Sequence, residues 1–267
     1  MGLLWLLILL VASILSLRCG MISLIFLPYL NFDNGSINTL FLLYFNSWIA
    51  TISFLLVSKA LRHMEISTVT PFLSFGPIFV LIFSLIFLKE KVTNIQIFGI
   101  GMVILGTYIL ESKKHDYLAP IKKILQSKYI HYIFIALILN GISSTLDRYF
   151  LKDISLDSVS YLFLISTFLA INYCLLVTVL KGGFKDINSG FKVNGLMILI
   201  IAALILMSRL ALYESFILTS AFLVEPVKRI SVLFVIIFGG VLFHEKYLFK
   251  KFIASLFMLT GVYLITI

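Results

Sequence analysis

Residues 69–110 read VTPFLSFGPIFVLIFSLIFLKEKVTNIQIFGIGMVILGTYIL, and residues 224–265 read VEPVKRISVLFVIIFGGVLFHEKYLFKKFIASLFMLTGVYLI. Laid over each other without a gap, the two stretches are identical at ten positions. A constant offset of 155 residues carries Pro71 to Pro226, Glu90 to Glu245 and Gly106 to Gly261. Apolar identities mean little in so apolar a chain. A proline, a Glu-Lys pair and a Gly-x-Tyr at one offset mark a duplicated unit.

The 267 residues around this duplication are 61% hydrophobic and only 12% charged, with a mean hydropathy of +1.12. A soluble chain of this length needs far more charge to cover its surface. The excess apolar surface, with 25 phenylalanines spread along it, has to face lipid. A net charge of +9 suggests nucleic acid in a soluble protein; here it reflects lysine-rich loops beside an anionic leaflet. Cys19 and Cys174 lie in apolar stretches and provide neither a disulfide framework nor metal spacing. His63, His115, His131 and His244 are scattered. The opening MGLLWLLILLVASILSLRCG lacks a basic n-region and reads as a retained span.

Apolar runs fall at about 3–27, 38–57, 68–88, 95–111, 131–150, 158–180, 194–213, 220–243 and 249–266. Each crosses a hydrocarbon core of about 30 Å as a helix. Helix is required because an open strand leaves backbone groups unsatisfied in lipid. With nine spans, Lys59, Arg62, Lys113, Lys114, Lys122, Lys123, Lys128, Lys181, Lys185, Lys192, Lys246, Lys250 and Lys251 share one side. Lys89, Lys91, Arg148 and Lys152 take the other. Positive residues favour the cytoplasm, so the basic linker at 112–130 is expected there and the C-terminus outside.

The same offset maps 158–180 onto 3–25 and 194–213 onto 39–58, while 131–150 has no counterpart. The expected organisation is a first repeat at 1–111 with four helices, the linker at 112–130, and a second repeat at 131–267 with five. A five-span unit is odd, so its two copies run in opposite directions through the bilayer.

These motifs resemble the drug/metabolite transporter superfamily, specifically its EamA-type members. The resemblance runs over essentially the whole chain after residue 3 and rests on Pro71 to Glu90 to Gly106, repeated as Pro226 to Glu245 to Gly261. It implies an all-α membrane fold of ten helices in two inverted repeats, here without the first helix, and alternating access around a central cavity. It also implies metabolites, amino acids or drugs as solutes.

Glu90 and Glu245 each close a long apolar run beside Lys91 or Lys246, and read as helix-hairpin residues. Thr93 and Gln96 have the spacing of a capping box. Glu225, Lys228 and Arg229 share one helix face. Either they lie within the membrane beside a backbone opened by Pro226, or the helix starts at Pro226 and they sit among headgroups. Arg209 is placed to pair with Glu214 or Glu225, or to snorkel. Arg148, beside Asp147, reads as interfacial. Uncharged polar residues gather as Asn46, Ser47, Trp48, Thr51 and Ser53; as Asn140, Ser143, Ser144 and Thr145; and as Asn172 and Tyr173. Gly99, Gly101, Gly106, Gly239 and Gly240 suit close helix approach.

The substrate-binding set expected from this reading is Asn46, Trp48, Asn140, Tyr173, Arg209, Glu225, Lys228 and Arg229. No catalytic residue, metal site or cofactor is expected, and no Walker-type loop is present. The expected partners are a small-molecule solute and the lipid bilayer, with a homodimer left open and nucleic acid excluded. The leading expectation is a multi-pass secondary transporter of the plasma (inner) membrane. A membrane-embedded lipid-modifying enzyme and a non-transporting assembly factor are the alternatives.

Overall fold

The computed structural model describes residues 19–20, 22–24, 36–64, 69, 72–111, 129–181, 195–231 and 248–267. Eight helices occupy them: α1 (Ile37–His63), α2 (Gly76–Phe87), α3 (Asn94–Glu111), α4 (Ile130–Lys152), α5 (Ser158–Lys181), α6 (Gly195–Leu218), α7 (Ala221–Lys228) and α8 (Leu248–Thr266). Among the described residues there is no strand. Four of the helices, α1, α4, α5 and α6, are long and apolar enough to cross a membrane. Pro71, Glu245, Gly239, Gly240 and most of the stretches 3–27 and 112–130 lie outside the described residues.

The helices are built inside out relative to those of a soluble protein. On α1 the buried residues include Thr39, Asn46, Ser47, Thr51, Ser53 and Ser58, whereas Ile37 and Phe41 are 86% and 73% exposed. Phe45 and Ile52 continue that outward face. Water would expel such a surface, at roughly 25 cal/mol per Å² of apolar area, and lipid accepts it. Two of these hydroxyls are satisfied within α1 itself: Ser47 donates to the Tyr44 carbonyl at 2.6 Å and Thr51 to that of Ser47 at 2.8 Å. Thr107 and Thr145 do the same one turn back.

Two tight helical connections follow from local chemistry. After α2, Lys89 takes a left-handed backbone (φ 52°), and the amides of Leu88 and Glu90 both return to the Ser84 carbonyl. Glu90 therefore sits in the six-residue turn Leu88–Thr93. Thr93 then caps α3 reciprocally: its amide donates to the Gln96 Oε1 at 3.1 Å, and the Gln96 amide to its Oγ1 at 3.3 Å. Between α4 and α5, Ser155 is left-handed (φ 58°), and Asp157 caps α5 by accepting from the Ser160 amide at 3.0 Å.

The chain forms two compact units, Met1–Arg62 with Leu146–Leu218, and His63–Thr145 with Thr219–Ile267. The first unit draws one segment from either side of the basic stretch 112–130. In the second unit, α3 packs along α8. A Cβ on Gly99 would lie 2.7 Å from the Gly261 carbonyl, and one on Gly106 2.8 Å from that of Ala254. The same Gly106 Cβ would meet Met258, as one on Gly261 would meet Val103. The 155-residue offset turns 99 into 254, 103 into 258 and 106 into 261, so these contacts exchange with one another. As numbers rise along α3 they fall along α8, so the pair is antiparallel. Gly101, by contrast, faces open space and has no part in close packing, contrary to the sequence expectation.

Candidate functional site

In the first unit, polar groups from four helices meet. Asn46 on α1 donates from Nδ2 to Asp147 Oδ1 of α4 at 2.7 Å and to the Tyr161 hydroxyl of α5 at 3.3 Å. Tyr161 in turn donates to the same Asp147 oxygen at 2.5 Å. The Tyr161 ring packs edge-on against Tyr213 of α6, with centroids 4.9 Å apart. Arg209 lies one turn before Tyr213 on α6 and has Tyr213, Cys19, Asp147 and Tyr173 as electrostatic neighbours.

A second layer adjoins it. Asn172 donates to Ser47 Oγ at 2.9 Å and to Thr51 Oγ1 at 3.4 Å. Tyr173 is buried edge-on against Phe54 (5.7 Å), and Trp48 is half-buried with its edge toward Tyr44 (6.5 Å). The amide oxygens of Asn46 and Asn172 are both fully buried and accept no hydrogen bond. Leaving such an acceptor unmatched costs about 1–3 kcal/mol.

Two residues of this unit depart from the sequence expectation. Arg148 is 8% exposed, and its guanidinium donates to the carbonyls of Phe216 and Ile217 (3.3 Å to the latter). It turns inward and caps the last turn of α6, where orphan carbonyls and the negative helix end favour a cation. Glu214, proposed as a partner for Arg209, accepts a hydrogen bond from Ser158.

In the second unit, α7 begins at Ala221 with Ser220 as its cap, so the helix does not start at Pro226; the proline is internal. Glu225 is 7% exposed and accepts from Ser144 of α4 at 3.3 Å and from Lys228 at 3.2 Å. The Lys228 side chain remains 53% exposed. Arg229 donates to the Leu73 carbonyl at 2.8 Å, and Gly76 makes the room: a Cβ there would stand 3.0 Å from Arg229 Nη2. Asn140 is exposed, unlike Asn46, and accepts from Ser144 at 3.5 Å. It lies two residues from the outward-facing Ile138, which places it on the far side of α4 from the stripe Phe134, Ile138 and Tyr149.

Gly106 and Gly261 both lie in the α3–α8 contact. Of the expected binding set, Asn46, Tyr173 and Arg209 gather with Asp147 in the first unit, and Asn140, Glu225, Lys228 and Arg229 belong to the second. Asp147 and Tyr161 were missed as the hub. A readable signal existed: Asn140, Ser144 and Asp147 repeat at i, i+4 and i+7 along an otherwise apolar helix.

Apolar exteriors, buried polar cores and several membrane-length helices define a multi-pass helical membrane protein. Residues 7–112 match the model of the EamA-like transporter family. Over that segment the chain is similar to that family, a likeness that supports a membrane transporter in general. A crystal structure of a protein aligns over 97% of this chain and 87% of its own, with a TM-score of 0.72 and 12% identity, which is a likeness of fold alone. No curated protein matches by sequence.

Proposed function

We propose that this protein is a secondary transporter in the plasma membrane. It moves small metabolites, amino acids or related organic solutes, or drugs, by alternating access through a central cavity. The observation that carries the reading is the set of buried Asn46, Tyr161 and Tyr213 with half-buried Asp147 and Arg209, held by helices whose outer faces are apolar. Ionisable groups inside membrane helices are expensive to keep and mark pathways. Two inverted halves, at 1–111 and 131–267, are supported by the antiparallel α3–α8 pair, whose contacts exchange under the repeat offset. Equivalent helices of same-direction repeats would run parallel.

Arg209, Lys228 and Arg229 suit a solute carrying a carboxylate or phosphate, and Trp48 offers an aromatic edge to an apolar part. The test is a counterflow screen of labelled solutes in proteoliposomes containing the full chain. Uptake of at least one small organic anion or zwitterion is expected, reduced tenfold or more by Arg209→Gln and by Lys228→Gln with Arg229→Gln. If no solute moves in protein that is folded and correctly inserted, the transport reading is wrong. Cysteine labelling of Glu90 and Glu245 positions from opposite sides tests the inversion.

A further inference from the structure

In the second unit, Asn140 and Ser144 of α4 join Glu225 and Lys228 of α7 in one polar group. Glu225, 7% exposed, accepts from Lys228 Nζ at Oε1 (3.2 Å) and Oε2 (3.4 Å), and from Ser144 at 3.3 Å. Among the described residues these are its partners. Ser144 lies eight residues before Lys152, the end of membrane-length α4, roughly 12 Å inside it at 1.5 Å per residue. Glu225 is therefore held at membrane depth. Lys228 and Asn140 are exposed beside it. Hydrocarbon does not accept an open ammonium, so that side of the group is wet and within reach of a solute.

Ser144 accommodates Glu225 in either protonation state. Its hydroxyl has one proton and two acceptors in reach, Glu225 Oε1 at 3.3 Å and Asn140 Oδ1 at 3.5 Å. Beside an ionised Glu225 the proton points to the carboxylate. Beside the neutral acid it turns to Asn140, and Ser144 Oγ accepts from the new carboxyl O–H. The acid thus finds its partner in place.

No other cation pairs with Glu225 among the described residues. α2, packed against α7, has no titratable side chain; α3 carries Tyr108 and Glu111, and α8 carries Lys250, Lys251 and Tyr263. On α4, His131 and Tyr132 stand three turns or more from Ser144, Asp147 bonds Asn46 and Tyr161, and Arg148 binds the α6 carbonyls. Arg229 holds the Leu73 carbonyl. An anion that takes Lys228 therefore strips Glu225 of its counter-ion, and a buried carboxylate without one is costly. A proton removes that cost.

Building on the transport reading and its anionic solute, we propose that Glu225 and Lys228 are an exchangeable ion pair that couples the solute to one proton. The solute's carboxylate takes the Lys228 ammonium, Glu225 takes a proton from water at Oε1, and Ser144 with Asn140 receives the acid. On release the proton returns to water and the pair re-forms. Solute and proton travel in the same direction.

The full chain in lipid nanodiscs, titrated with 3-phenylpropanoate and with 4-methylpentanoate, tests this; both probes stay ionised between about pH 6 and 8. The bound state holds one proton more than the free state, so binding tightens as pH falls, and Kd should drop about tenfold per pH unit. A pH indicator in unbuffered solution should record about one proton taken up per anion bound. Glu225→Gln, whose amide donates to Ser144 as the acid does, should hold Kd constant within about threefold across that range and take up no proton. Lys228→Gln should weaken binding about tenfold or more at every pH. Anion binding by the unaltered chain without proton uptake overturns the proposal, and that arm depends on no variant. Proton uptake that survives Glu225→Gln overturns it too, as does a Glu225→Gln variant that binds more weakly with the pH slope intact, the mark of a merely structural residue. If neither carboxylate binds while the counterflow screen finds a solute, the coupling is wrong and transport stands. If neither assay finds a solute, the transport reading falls as well.

Discussion

Replacing Gly261 by alanine probes the α3–α8 seam at the point where the two helices allow least. The new Cβ would stand 2.7 Å from the Gly99 carbonyl oxygen and 2.8 Å from both the Val103 amide nitrogen and its Cγ2. Two of those atoms are backbone, so no rotamer change relieves the clash and the helices have to separate. Overpacking of this kind costs about 1–3 kcal/mol. At roughly 2–4 °C per kcal/mol for a domain of this size, the thermal midpoint should fall by several degrees. Gly106→Ala meets the Ala254 carbonyl at 2.8 Å and Met258 Cγ at 2.6 Å, and should cost a similar amount because the offset exchanges the two sites. Gly99→Ala and Gly261→Ala open the same contact, so together they should cost less than their sum. Gly101→Ala is the control: with nothing within 4 Å it should be neutral or gain up to about 1 kcal/mol from helix propensity. Tryptophan-fluorescence melting in one detergent reads all of these. Should Gly261→Ala melt together with Gly101→Ala, the close antiparallel seam, and the support it lends to inverted halves, would be refuted.

Other perturbations test the remaining supports. Arg148→Leu removes the side chain that caps the end of α6 and should destabilise by about 2–4 kcal/mol in detergent denaturation, with Arg148→Lys recovering part of the loss. Thr93→Ala breaks a solvent-exposed capping box and should cost about 0.5–2 kcal/mol, with Gln96→Ala adding less in the double variant than alone.

Much was legible beforehand because lipid imposes a simple rule on sequence. The apolar runs at 38–57, 95–111, 131–150, 158–180 and 249–266 correspond to α1, α3, α4, α5 and α8 within a few residues at most ends. The capping box at Thr93 was readable from residue types three apart, since its chemistry is local. For α7 the sequence left two readings: the run at 220–243 begins beside Ala221, where the helix starts, and the alternative start at Pro226 is set aside because the proline is internal.

What the sequence alone determined about this protein is the class of fold and the duplication. Hydrophobicity and repeat spacing are summed along the chain and need no knowledge of neighbours. Tertiary structure alone decided which polar residues matter together. Asn46 meets Asp147 across 101 residues and Asn172 meets Ser47 across 125. A buried hydrogen bond depends on where two helices touch and how each is rotated, and neither quantity is written in the residues of one helix. The same holds for Arg148, read as an interfacial cation from its position and found bound to the end of a helix 68 residues away.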